Sequence, residues 1–92
     1  MLIILDVEIY CVEYEGNIGI FQKEVDSNIS PSLGIKVIDR TFEGEARKVE
    51  EIVINFEEDR CFIKLEPQRI DKEEHLKMYK TMYEPNGWKW CG

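Results

Sequence analysis

The sequence predicts an α+β domain: a mainly antiparallel curled sheet, or partly open barrel, of about five strands with one C-terminal helix packed on it. Three observations carry that expectation. Apolar and polar residues alternate through most of the first two-thirds, as half-buried strands require. The connections between these segments are too short for helical crossovers, which favours antiparallel pairing. Beyond Pro67 the apolar spacing changes from the period of a strand to that of a helix.

The first strand is expected over 2–14. Ile3, Leu5, Val7, Ile9 and Cys11 share one face, and Asp6, Glu8 and Tyr10 share the other. Glu15-Gly16-Asn17 is a turn, and a second strand returns over 18–25. The segment from Asp26 to Gly34 is dense in turn formers and makes the longest loop. A third strand follows over 35–42, and a fourth over 48–56 points Ile52, Ile54 and Phe56 one way. Glu57-Glu58-Asp59 turns the chain into a fifth strand over 60–66, so that the last two form a hairpin. Pro67 ends the sheet pattern. Asp71 and Glu74 have the spacing of a capping box for a helix over 71–84, which Pro85-Asn86-Gly87 stops. A short terminal strand over 88–91 would place both indoles, Trp88 and Trp90, on one side.

With 92 residues the chain has room for a single domain, 1–92. Its 43% hydrophobic content, with ten aromatic residues, is enough for one compact core and excludes a disordered chain. No run approaches the roughly 18 apolar residues of a membrane span, and the N-terminus lacks the basic and small-residue flanks of a signal peptide. Cys11, Cys61 and Cys91 are odd in number and widely spaced. They fit neither a disulfide framework nor a zinc site, and they suggest reduced thiols in a cytoplasmic protein.

The formal net charge is −7, and it is unevenly spread: residues 1–60 carry fourteen acidic and six basic side chains. Such a surface repels phosphate backbones, so direct nucleic-acid binding is not expected. It would attract a basic protein surface and speed encounter with one.

Nothing in the sequence assembles a catalytic set. The one imidazole, His75, reads as a helix-surface residue, and Ser27, Ser30 and Ser32 lie in one loop without a nucleophile elbow. No glycine-rich phosphate loop or histidine-bearing metal motif occurs, so no cofactor and no metal are expected. Two features stand out as candidate sites. One is the acidic, tyrosine-bearing outer face of the first strand: Asp6, Glu8, Tyr10 and Tyr14, with Glu13 and Glu15 at the turn. Tyrosine among carboxylates suits an Arg- or Lys-rich partner. The competing reading is that the helix covers this face and its tyrosines are core. The other feature is aromatic: Tyr79, Tyr83, Trp88 and Trp90 would either cover a gap in a small core or line an interface.

In size, acidity and lack of catalytic groups the chain resembles several unrelated small inhibitors, namely toxin immunity proteins and phage-encoded inhibitors of host or defence enzymes. No motif carries that resemblance, which is one of composition. The expectation is a non-catalytic protein-binding module docking on a basic surface, such as that of a nucleic-acid-handling enzyme. The alternative is an oligomeric small-molecule binder, its ligand held between protomers by the four aromatics, since exposed strand edges favour self-association.

Overall fold

The computed structural model describes residues 1–28 and 30–92. Its strands are β1 (Leu2–Cys11), β2 (Gly16–Asp26), β3 (Lys36–Ile38), β4 (Ala46–Asn55), β5 (Arg60–Leu65), β6 (Gln68–Ile70) and β7 (Lys89–Cys91), with one α-helix, α1 (Leu76–Tyr83). The sheet is not closed. Its order is β3-β4-β5-β1-β2-β7, and β6 also pairs with β1.

β1 is the central strand. It runs antiparallel to β2, Leu2 facing Asp26 and Val7 facing Phe21, but parallel to β5 and β6. The antiparallel expectation therefore holds for four pairings and fails for two. Short connections exclude a direct crossover from β1 to β5, and none is made. The chain leaves β2, passes to the far side of the sheet as β3, and returns through the β4–β5 hairpin, so β5 reaches β1 already aligned with it.

Seven strands replace about five among the described residues: β7 corresponds to the terminal strand expected over 88–91, and β6 is added because Pro67 interrupts the sheet without ending it. Leu2 faces Arg60 while Ile9 faces Gln68, so the strand beside β1 gains one residue at Glu66-Pro67. Proline has no N–H to donate there, and pairing resumes one residue later as β6.

Other boundaries differ for local reasons. β1 stops at Cys11, and Val12–Tyr14 turns as a 3-10 helix ending on left-handed Glu15. The expected strand over 35–42 shrinks to three residues, because Asp39 accepts a hydrogen bond from the Thr41 amide and caps a 3-10 turn, Arg40–Phe42. That turn delivers Phe42 to the core. The helix expected over 71–84 is α-helical only from Leu76, with a 3-10 turn at each end, Glu73–His75 and Glu84–Asn86. Asp71 is not its cap. The Asp71 carbonyl accepts from the Glu13 amide at 3.1 Å, which holds this stretch at the end of the sheet, and extended Lys72 precedes the first turn.

α1 packs on one sheet face only. Phe21, opposite Val7 on the β1–β2 ladder, stacks on Tyr83 of α1 at 4.3 Å between ring centroids. Phe42, Trp88 and Trp90 complete the aromatic cluster around that pair. Ile3, Leu5, Val7, Ile9 and Cys11 lie beneath it, all buried. β7 presses so closely on β2 that a Cβ at Gly19 would meet the Trp90 ring at 2.6 Å, a position only glycine allows.

Candidate functional site

Because α1 covers the odd-numbered face of β1, the even-numbered face is left open beyond Ile4, which is buried. Asp6, Glu8 and Tyr10 stand on it, half-buried, in the middle of the sheet. The register sets their neighbours. Asp6 lies between Gln22 of β2 and Lys64 of β5, Glu8 faces Ile20, and Tyr10 faces Arg69. On β5 and β4, Phe62 faces Val53 and Lys64 faces Glu51.

These residues line a shallow depression of about 240 Å³ formed by Asp6, Glu8, Ile20, Glu51, Val53, Phe62 and Lys64. Apolar side chains thus alternate with carboxylates across the open face. Glu8 is engaged on both oxygens, by Lys64 at 3.2 Å and by the Asn17 side-chain amide at 2.6 Å. Glu8 in turn raises the Lys64 pKa, through the hydrogen bond first and then its charge, with Glu51 and Glu50 adding to it.

Asp6 is different. One of its carboxylate oxygens is shielded from solvent and has no hydrogen-bond partner. Burial raises its pKa, the Gln22 side chain pulls it back in part, and the Glu8 charge adds to the rise. An acceptor held in this state gains more than an exposed one when a cation reaches it.

Glu13, Tyr14 and Glu15 do not share this face. They sit exposed on the 3-10 turn beyond β1, where the Tyr14 hydroxyl donates to Glu73 from the start of the helical region. That bond and the Glu73 charge push the Tyr14 pKa up to about 12. The six acidic and tyrosine candidates therefore split into two groups, one in mid-sheet and one at the end. Sequence reasoning missed Ile20, Glu51, Val53, Phe62 and Lys64. The signal for them was present in the alternation of each strand, but it becomes readable only once the strand order is known.

The four aromatics do not form one wall. Trp88 is buried against Phe42 and Tyr83, and Trp90 covers Phe21. Tyr79 and Tyr83 line a separate cleft beside α1, which neither indole reaches. All three cysteines are free thiols, Cys11 and Cys61 buried in strands and Cys91 exposed. His75 is exposed at the end of its 3-10 turn.

Among the described residues no group of three or more His, Cys, Asp or Glu is placed to hold a metal ion, and no helix is long and apolar enough to cross a membrane. No known protein family matches the chain, and no curated protein or solved structure does.

Proposed function

We propose that the protein is a non-catalytic binding module that docks the open face of its sheet on a basic protein surface. The observation that carries this reading is Asp6, a half-buried carboxylate with an unpartnered oxygen at a depression where Ile20, Val53 and Phe62 alternate with Glu8, Glu51 and Lys64. A partner's guanidinium inserted there would pair with a charge already stripped of part of its water, while Ile20, Val53 and Phe62 supply contact area. Enzymes that handle nucleic acid present basic surfaces of this kind, so stoichiometric inhibition is the activity such docking implies.

The test is amide chemical-shift mapping with an octa-arginine peptide and, separately, with duplex DNA. Peptide-induced shifts are expected to concentrate on Asp6, Glu8, Ile20, Glu51, Val53 and Phe62 and to weaken as salt rises, while DNA gives none. Reversing Asp6 and Glu8 to Lys should slow association at least tenfold. Glu57 and Glu58, on the distant hairpin turn, are the control pair. Equal losses from both pairs would reduce the effect to net charge, and shifts scattered away from the open face would remove this reading.

A further inference from the structure

We propose that the cleft between the 40–45 segment and α1 binds a small zwitterion of the amino-acid type, its carboxylate on the Arg47 guanidinium and Tyr83 hydroxyl and its ammonium toward Glu43 and Glu45. The cleft has a volume of about 410 Å³ and is walled by Phe42, Met78, Tyr79 and Met82. That size lies within the range of small-molecule sites.

Arg47 is held in place by neutral groups. Its Nη1 donates to the Glu66 and Pro67 carbonyls, both at 3.1 Å, its Nη2 donates to Gln68, and its guanidinium lies 5.0 Å from the Phe42 ring centroid. Among the described ion pairs none compensates its charge. Its Nε–H and the Tyr83 hydroxyl are both shielded from solvent and without a hydrogen-bond partner, although Tyr83 is only 1% exposed.

Unpartnered buried polar groups are costly, so a cation and a hydroxyl left in this state beside one cleft point to an anionic partner. Burial raises the Tyr83 pKa, and the Arg47 charge and the close approach of its side chain to the hydroxyl oppose the rise, but no well-formed hydrogen bond satisfies either the Tyr83 hydroxyl or the Arg47 Nε–H. The Thr41 hydroxyl, also on the cleft and also shielded without a well-formed hydrogen bond, is directed toward the Asp39 carboxylate, which would repel an anion there, so it is left out of the anion site.

The rest of the ligand follows from charge. A chain of net charge −7 repels free anions, and Glu43 and Glu45 stand exposed on the cleft. A zwitterion avoids that repulsion and gives both carboxylates a cation. Its apolar side chain would rest on Phe42 and the methionines, whose unbranched chains can swing aside to open a path to the shielded donors.

The experiment is methyl and amide NMR titration of the whole protein with L-leucine and L-phenylalanine, up to about 10 mM. The comparison compounds are 4-methylpentanoate and isopentylamine, which keep one charge each. Saturable shifts at Thr41, Phe42 and Met82 are expected with an amino acid, and at least tenfold weaker binding with either single-charge compound. Tyr83→Phe should weaken amino-acid binding about tenfold without lowering the melting temperature, because the hydroxyl it removes has no partner. Arg47→Gln should abolish binding.

Absence of a saturable response to both amino acids would leave a bridging water as the partner of these groups and overturn the proposal. Equal binding of 4-methylpentanoate, or full binding by Tyr83→Phe, would overturn it too. None of these outcomes touches the open face.

Discussion

The two faces of β1 belong to the same ten residues and do opposite things. On one, Val7, Ile9 and Cys11 are wholly buried under α1 and the aromatic cluster. On the other, Asp6, Glu8 and Tyr10 keep part of their surface, and one carboxylate oxygen goes unpartnered. From Leu5 to Cys11 each residue sits one step from a neighbour with the other fate, whereas Ile4, near the start of the strand, is buried like Ile3 and Leu5. Over that stretch the central strand separates stability from recognition by parity: substitutions at odd positions should act on folding and those at Asp6, Glu8 and Tyr10 on binding. The same parity passes through the register to Phe21 on the covered face and to Gln22 and Ile20 on the open one.

The largest effect is expected from Phe21→Ala, which removes the ring packed between Tyr83 and Trp90. Such truncations cost about 3–5 kcal/mol, and in a domain of this size the melting temperature should fall by roughly 15 °C or more. Gln22→Ala, one residue along, should change it little. Circular-dichroism melts that moved the two variants equally would break the comparison.

Next comes Gly19→Ala. The new Cβ would collide with Trp90 and with the Cys91 carbonyl, so β7 must shift outward. A cost of about 1–3 kcal/mol is expected, with red-shifted tryptophan fluorescence as Trp90 gains water. Unchanged emission would mean that β7 yields without exposing the ring.

The third test sets two aspartates against each other. Asp39 accepts from Lys23 at 2.8 Å, from the Thr41 amide at 3.0 Å and from the Trp88 indole at 3.4 Å. Burial pushes its pKa up, but the Lys23 and Thr41 bonds, with the indole, outweigh burial and bring it down to about 2, against an ordinary 3.8. A carboxyl lowered on folding stabilises the native state above its unfolded value, and that contribution is lost as pH falls from about 4 through 2. It amounts to roughly 2 kcal/mol, and Asp39→Asn should flatten the acid limb of stability against pH.

Asp6, raised on folding, has the opposite sign: its ionisation opposes folding increasingly as pH rises above 3.8 and through the folded value. Asp6→Asn, the smallest effect, should slightly raise the melting temperature at neutral pH while weakening octa-arginine binding. A melting temperature lowered by Asp6→Asn would show that the carboxylate supports the fold rather than a partner.

What could be read from the sequence follows from how local each signal is. The alternation over Leu5–Cys11 assigns those residues of β1 to their faces, because period two is a property of the strand itself, while the apolar run Leu2–Leu5 carries no such signal. The hairpin turn at Glu57-Glu58-Asp59 is equally local. By contrast, Asp71 has the residue type and spacing of a cap, yet pairing of β6 with β1 holds the preceding residues extended and the carbonyl of Asp71 is taken by Glu13. The same holds for Tyr14, whose hydroxyl partner Glu73 lies 59 residues away. The open face was half legible: Asp6, Glu8 and Tyr10 were visible on their strand. Their neighbours on β4 and β5 depended on a strand order that no single segment encodes. Trp88 reads from the sequence as cover for a gap in the core rather than as an interface, and what it covers becomes visible only when Phe42 and Tyr83 are placed beside it.

The position of β1 also sets a timetable. Its neighbour on one side follows after a short turn, but on the other side Leu2 must find Arg60 and Ile9 must find Gln68. Closing loops of that length is paid in chain entropy before any contact is gained. Domains dominated by such distant pairings fold in milliseconds to seconds rather than microseconds. Until the β4–β5 hairpin docks, one edge of the most apolar strand stands bare, and in that interval the nascent β1–β2 ribbon is the part of the molecule most exposed to misassociation.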